Sequence, residues 1–476
     1  MTFATFITAF ISIAYILLIV STVLLILTEN SNLSKTIAWI VVLIFLPALG
    51  MVLYYFFGYN PRRIGKSENN FKQFLSELTK NNQVKQQLTT IDYKEKISSP
   101  YNRLAGLLEK NNGSKPFYGS NVEIITSGQR KFNALIEDME NARHHIHIEY
   151  FYFRKDVTGK KIREILMRKA SEGVKVRFIY ENVANIDINP KFYYSMRKSG
   201  VEVLAFSKAS LSWIRRNLNY RDHRKIAIID GKIGYTGGMN IGDDYSKKWR
   251  DTHLRILGEG VYGLQLNFLH AWYESGGNLP TDTGLYFPQA QIYSGNIIQI
   301  APEAPDSRWP YFQLAVISAI QNAEHYIYIQ TPYFMPTEPL AQALKSAALS
   351  GVDVRLMVSH KSDIFFMDPV TQSYYEDSLR AGIRIYELTD IFSHAKSMVI
   401  DDYLSIIGSS NIDSRSLDLC FEINAFIYDP DIAGRNRNIF FDDIMQCKEI
   451  VLPEWLKRPW WKKLIQSVMK LFSPLL

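Results

Sequence analysis

The pattern His-x-Lys-x4-Asp occurs twice in this chain, and its surroundings repeat with it. The first copy is His223, Lys225 and Asp230 in HRKIAIID; the second is His394, Lys396 and Asp401 in HAKSMVID. The register, an offset of 171 residues (223 to 394), holds beyond the motif: Gly237 maps onto Gly408, Asn240 onto Asn411 and Asp251 onto Glu422. One short motif is weak evidence. Two copies in register through the downstream acid point to one duplicated unit and one two-part active site.

The residue types indicate the chemistry. Apolar residues Ile226 to Ile229 follow the first His and Lys, so the pair stands at the start of a buried strand. Strand alternation puts His223 and Lys225 on one face, and Gly234, Gly237 and Gly238 mark a tight return. Two such units facing each other present two imidazoles, two ammonium groups and two Asn amides to one anion. Fixed cations suit a phosphodiester, whose charge rises in the transition state. One imidazole attacks phosphorus and the other protonates the leaving alcohol. Asp251 and Glu422 orient the imidazoles through their second ring nitrogen.

These residues resemble the phospholipase D superfamily. The resemblance implies a covalent phosphohistidine intermediate, no metal, no cofactor and a bilobal, duplicated α/β/α fold. It implies His223 as nucleophile and His394 as general acid. Lys225, Lys396, Asn240 and Asn411 then hold the phosphoryl oxygens, Asp230 and Asp401 are structural supports, and Asp251 and Glu422 position the histidines.

Residues 2–27 carry no charged side chain, and a second apolar run covers 36–57. At about 1.5 Å per helical residue each is long enough for a hydrocarbon core of roughly 30 Å. The expectation is a transmembrane helical hairpin over 1–60. Lys35 and Glu29 in the joining loop, against Arg62, Arg63 and Lys66 after the second run, place both ends in the cytoplasm. Tyr54, Tyr55 and Tyr59 then lie near the interface. The run AWIVVLIFLPALGMVLYYFFG, with WRDTHLRI, SSNIDSRSLDLCFEINA and the closing LFSPLL, resembles bacterial cardiolipin synthases over nearly the whole chain. Two positions depart from that pattern, each holding another residue where Asn is expected: Asp222 before the first His, and Cys420 two before Glu422.

Residues 61–115 are polar and read as a juxtamembrane linker carrying a short helix at Phe71, Phe74, Leu75 and Leu78. The catalytic halves follow over 116–285 and 286–452. ARHHIHIEYFYF (142–153) aligns with AEHYIYIQTPYF (323–334), and EGVKVRFI with SGVDVRLM, so each half alternates strands and helices. The first half is longer, with the excess placed near 207–220. Tyr150, Phe151, Tyr333 and Phe334 follow strands that approach the site. His144, His145, His147 and His325 lack a matching carboxylate set, so no metal is expected there. Residues 453–476 read as an amphipathic helix, with Trp461, Leu464, Ile465, Val468, Leu471 and Phe472 opposite lysines, suited to a membrane surface or to docking on the domain.

A formal charge of +7 suits anionic lipid and is too small to argue for nucleic acid. Two cysteines without zinc-ligand spacing fit a reduced compartment. A membrane-bound phosphodiester enzyme works on lipid headgroups. The expected reaction is phosphatidyl transfer between two phosphatidylglycerol molecules, giving cardiolipin and glycerol at the cytoplasmic face of the bacterial plasma membrane. The alternative is a membrane-anchored phospholipase D that uses water. The acceptor lipid and the oligomeric state stay open.

Overall fold

The structure, a computed structural model, describes residues 3–29, 33–54, 58, 66–89, 93, 95–206, 220–280, 282–293, 295–364 and 366–473. Most of the expected insertion near 207–220, together with Arg62, Arg63, Tyr55 and Tyr59, lies outside the described residues.

Strands are numbered along the chain. The short β1 (Pro116–Tyr118) precedes β2 (Asn121–Ile125), β3 (His145–Tyr150), β4 (Lys175–Glu181) and β5 (Glu202–Phe206). Then come β6 (Arg221–Asp222), β7 (Lys225–Ile229), β8 (Ile233–Gly237) and β9 (His253–Leu257). The second half contributes β10 (Ile297–Glu303), β11 (Tyr326–Gln330), β12 (Phe334–Met335), β13 (Asp353–Ser359) and β14 (Arg384–Leu388). It continues with β15 (Ser397–Ile400), β16 (Leu404–Gly408), β17 (Ile412–Asp413), β18 (Cys420–Tyr428) and β19 (Cys447–Ile450).

The first sheet runs β2-β9-β8-β7-β3-β4-β5, and the second contains β10-β18-β16-β15-β11-β13-β14 in the matching order. In each, three parallel strands carry the βαβ crossovers and the remainder are antiparallel. The sequence duplication is therefore a duplication of mixed α/β topology. Residues 207–224 separate β5 from β7, whereas 389–396 separate β14 from β15, so the excess of the first half falls in that interval.

Three apolar layers hold the halves. Helices Gly128–Glu140, Val157–Ser171 and Pro190–Lys198 cover the outer face of the first sheet. Helices Ser99–Asn112, Tyr311–Gln321 and Glu338–Leu349 cover the second. Between the sheets, Ile226, Ile228, Leu254 and Ile256 share a core with Ile407, Ile423, Ala425 and Ile427. The helix Gly260–Glu274 lies in this layer and is buried from Gly260 to Trp272. It packs closely because a Cβ on Gly263 would stand 2.7 Å from Ile300. Gly234 does not turn the chain as its spacing suggests. It sits in β8, where a Cβ would meet Leu264 at 2.7 Å.

The return is made at Asp230 and Gly231, both with positive φ (54° and 64°). Asp230 pairs this backbone with a cap: its carboxylate accepts from the amides of Arg143, His144 and His145 at 2.8–2.9 Å. Asp401, φ 51°, does the same for Glu324, His325 and Tyr326 at 2.6–2.8 Å. Each motif Asp thus fixes the start of the strand beside its own histidine strand.

The region 61–115 is more than a linker. Helix Lys66–Leu78 buries Phe74 and Leu78 in the inter-sheet core, and Ser99–Asn112 buries Tyr101, Leu104, Ala105 and Leu108 against the second sheet. β1 leaves the first half entirely and pairs antiparallel with β10.

Near the start, α1 (Phe3–Glu29) is the one described helix long and apolar enough to cross a membrane. The expected second span over 36–57 is not one continuous helix. It forms α2 (Leu33–Phe45) and α3 (Pro47–Leu53), broken at Leu46 (φ −135°, ψ 65°). Pro47 has no N–H to continue the ladder, and Gly50 lets α3 fold back, since a Cβ there would lie 3.1 Å from Val42 O. Trp39 and Tyr54 consequently meet edge to face, with ring centroids 5.3 Å apart.

The helix Trp460–Phe472 docks through one edge. Gln466 hydrogen-bonds Gln372 at 3.2 Å, Ser473 bonds the Tyr374 hydroxyl at 2.7 Å, and Met469 packs on the Tyr333–Met367 cluster. Trp460, Trp461, Leu464, Ile465, Val468 and Leu471 stay exposed.

The two capping aspartates give a stability test. Asp230→Ala or Asp401→Ala strands three amides and puts Ala at positive φ, so each should lose about 2–4 kcal/mol. Asn retains an acceptor and tolerates this backbone, so the Asn variants should lose clearly less in denaturant unfolding of the detergent-solubilised protein.

Candidate active site

The histidines are brought together by strand pairing across the two halves. β6 pairs parallel with the start of β18, and the His223 amide donates to Phe421 O at 2.9 Å. Symmetrically, Arg250 bridges Ser393, and the His394 amide donates to Arg250 O at 2.7 Å. Each histidine therefore lies beside the acid of the other half. His223 Nδ1 bonds Glu422 at 2.9 and 3.1 Å, and His394 Nδ1 bonds Asp251 at 2.8 Å. Ser409 donates to Glu422, and the Thr252 amide donates to Asp251 at 2.7 Å. With Nδ1 engaged, Nε2 of each ring is left for a reacting group in a shared cavity of about 390 Å³.

Lys225 begins β7, and Lys396 immediately precedes β15. Lys225 Nζ donates to His223 O, and Lys396 Nζ donates to His394 O at 2.5 Å. Both are buried. Burial pulls Lys225 down to about 7 and Lys396 to about 8, against the pull of Glu422 and Asp251. Burial likewise lowers His223 despite Glu422. It lowers His394 further, with Lys396 and Lys225 adding to the effect. Burial raises Asp251 to about 6. Burial works against ionised Glu422 too, but His223, Lys225 and Ser409 outweigh it and hold the carboxyl below its ordinary value.

The two asparagines line the cavity but are not equivalent. Asn240 is committed on both sides, accepting from the Tyr152 amide at 3.1 Å and donating to the Tyr245 hydroxyl at 2.6 Å. Asn411 Oδ1 has no hydrogen-bond partner among the described residues. Asp230 and Asp401 sit at the far ends of β7 and β15, occupied with their caps. Phe151 and Tyr333 line the cavity, whereas Tyr150 and Phe334 belong to the core.

Asp222 and Arg224 alternate with His223 and face away from it. Arg224 pairs with Asp222 at 2.8 Å and Glu149 at 2.7 Å in a buried cluster, so the charge of Asp222 is balanced outside the cavity. His145 and His147 are linked through Gln265 at 3.1 and 2.9 Å, a polar network within the core.

Several cavity residues escaped the sequence reading. Arg221 and Arg415 add two guanidinium groups, and Tyr245, Trp249 and Asp363 complete the wall. Arg415 makes no side-chain hydrogen bond or ion pair among the described residues. The duplication register offered one signal. Arg221 aligns with Phe392, and Arg415 with Asp244, so the cations have no counterparts in the other copy.

The titrations predict a bell-shaped profile. As pH falls through about 6, Asp251 takes a proton and no longer balances an imidazolium on His394. As pH rises through about 7 and then 8, Lys225 and Lys396 lose the positive charge that a phosphate would require of them. Turnover of a soluble phosphodiester should peak between these limits. A rate still climbing well above the Lys396 value would remove the lysines from phosphate binding.

The chain as a whole resembles proteins of one family. The family model described as "Cardiolipin synthase, PLD-like domain" matches residues 135–269 and 316–444, and one described as "Phospholipase D-nuclease N-terminal" matches 13–58. The chain is 37% identical to the major cardiolipin synthase ClsA of Bacillus subtilis, over 98% of both chains. It is 37% identical to a cardiolipin synthase of Listeria monocytogenes, over 94% of this chain and 95% of that one. The fold is similar to a phosphatidylserine synthase of Haemophilus influenzae, with TM-score 0.58 and 15% identity over 79% of this chain and 100% of the other. Over nearly its whole length, and with both halves of its paired-histidine site matched, this chain belongs to the cardiolipin synthase family of phospholipase D-like proteins.

Proposed function

We propose that this chain is a membrane-bound phosphatidyltransferase that converts two phosphatidylglycerol molecules into cardiolipin and glycerol. The carrying observation is the pair of carboxylate-held histidines in one cavity, each followed two residues later by a buried lysine. His223 Nε2 attacks phosphorus as the bond to the glycerol oxygen breaks. Protonated His394 gives its proton to that oxygen, and glycerol leaves. The terminal hydroxyl of a second phosphatidylglycerol then loses its proton to His394 and attacks, breaking the phosphorus–nitrogen bond. Lys225, Lys396 and Asn411 hold the phosphoryl oxygens, and Asn240 positions the wall through Tyr245. Asp251 and Glu422 stabilise the imidazolium forms. One phosphodiester replaces another, so no nucleotide is needed.

Arg221 and Arg415 favour transfer over hydrolysis. The reacting phosphate is already served by the lysines, and a lipid acceptor brings a second phosphate that water does not. The catalytic domain faces the cytoplasm of the bacterial plasma membrane, and the exposed stripe of helix Trp460–Phe472 lies in the anionic lipid surface, with Lys462 and Lys463 at the headgroups.

Purified protein given phosphatidylglycerol alone should yield cardiolipin and glycerol in equal amounts. Labelled phosphorus should be trapped on His223 as an acid-labile, alkali-stable adduct that His223→Ala abolishes. Phosphatidic acid as the main product would establish the hydrolase reading instead.

Arg415→Gln should raise the acceptor concentration needed for half-maximal transfer by about tenfold, equivalent to roughly 1.4 kcal/mol. It should also increase the fraction of product released as phosphatidic acid. An unchanged product ratio and acceptor dependence would separate Arg415 from acceptor binding.

A further inference from the structure

The second apolar run is a re-entrant hairpin, we infer, which enters the bilayer from the catalytic side and returns to it, leaving α1 as the single span. This goes beyond the transferase reading and rests only on α1 being in the membrane.

The folding back is geometric. In a straight helix Trp39 and Tyr54 would be about 22 Å apart along the axis. Their rings instead touch at 5.3 Å, and Gly50 would press a Cβ to within 3.2 Å of Leu43 Cα. From Leu33 to the break, α2 has 13 residues. That is about 20 Å, short of a hydrocarbon core of roughly 30 Å.

Both ends of the hairpin lead to the catalytic domain. At its entry, Lys35 pairs with Asp418 at 2.5 Å, with the two side chains only 11% and 15% exposed. After its exit, helix Lys66–Leu78 is anchored in the inter-sheet core through Phe74 and Leu78. A hairpin crossing to the far side would separate Lys35 from Asp418 by the full bilayer.

The occupant of the exposed surface is lipid hydrocarbon. Ile44, Phe45, Leu46, Leu49 and Val52 at the bend are all exposed. Ile26 of α1 shares a cluster with Trp39, Leu43 and Tyr54, so the hairpin continues the surface of the apolar span. Charge agrees. Lys35, Arg62, Arg63 and Lys66 are the only Lys or Arg among residues 1–66, and this path leaves all four on the catalytic side. Two full spans would send Lys35 to the opposite side, against the usual bias.

Position follows from the same ion pair. Asp418 ends the short helix Ser414–Asp418, whose Arg415 and Ser416 line the cavity. The base of the hairpin is therefore one helical turn from the site, which places the mouth near headgroup depth.

The test uses the full chain with Cys447→Ser; the remaining Cys420 is buried. Single cysteines at Phe3, Thr28, Phe45 and, as a catalytic-domain marker, the exposed Val157 are treated with a membrane-impermeant maleimide in right-side-out and inside-out vesicles. Thr28→Cys should react from the same face as Val157→Cys, Phe3→Cys from the opposite face, and Phe45→Cys from neither. Thr28 reacting opposite Val157 would overturn the re-entrant path and restore two spans. Phe3, Thr28 and Phe45 all reacting from the Val157 face would overturn it differently, by removing α1 from the membrane, while leaving the transferase assay untouched.

Discussion

The exchange of carboxylates between the halves is the constraint on which the rest of this structure depends. Asp251 and Glu422 are fully buried, and each finds its imidazole only on the opposite half. A half standing alone would bury a carboxylate without its partner, and removing one member of such a pair typically costs about 3–5 kcal/mol. The inter-sheet core keeps the halves in the register that makes the exchange possible. The short bridges of β6 with β18, and of Arg250 with Ser393, set the last few ångströms. Catalytic geometry and domain cohesion are thus one set of contacts.

The site is built with cations that are poorly solvated before substrate arrives. Burial moves both lysines close to neutrality, so their protonated forms await an anion. The two histidines share this field but not their immediate surroundings. Phe392, Trp249 and Tyr245 pack within 6.0 Å of the His394 ring, while the equivalent of Phe392 beside His223 is the cationic Arg221. Glu422 stays readily ionised next to His223, whereas Asp251 is raised next to His394. Duplication supplied two similar half-sites, and these few substitutions make them different environments.

Much of this was legible in the chain because the duplication repeats spacing as well as residues. The matching strand order of the two sheets and the cavity shared by the two histidines follow from period-two alternation and the motif register. The crossing of the acids does not, because register says that Asp251 corresponds to Glu422 without saying which imidazole each meets. Hydropathy likewise sums over residues 36–57 and overlooks one Pro and one Gly that let the run double back. Asn240 looks identical to Asn411 in sequence, yet Tyr245 and the Tyr152 amide occupy its amide group. Such differences reside in partners distant along the chain.

The strand β1 has a consequence for how the molecule is made. It precedes the whole first half, yet its hydrogen-bonding partner β10 begins at Ile297, and helix Ser99–Asn112 buries itself on the second sheet. During synthesis at about 5–20 residues per second, this segment therefore emerges on the order of ten seconds or more before its binding surface exists. The first half can assemble its own sheet in that interval, but closure of the domain is reserved for the completed chain. The apolar face of Ser99–Asn112 meanwhile has no sheet to cover it, making the late strand addition the step that completes the domain.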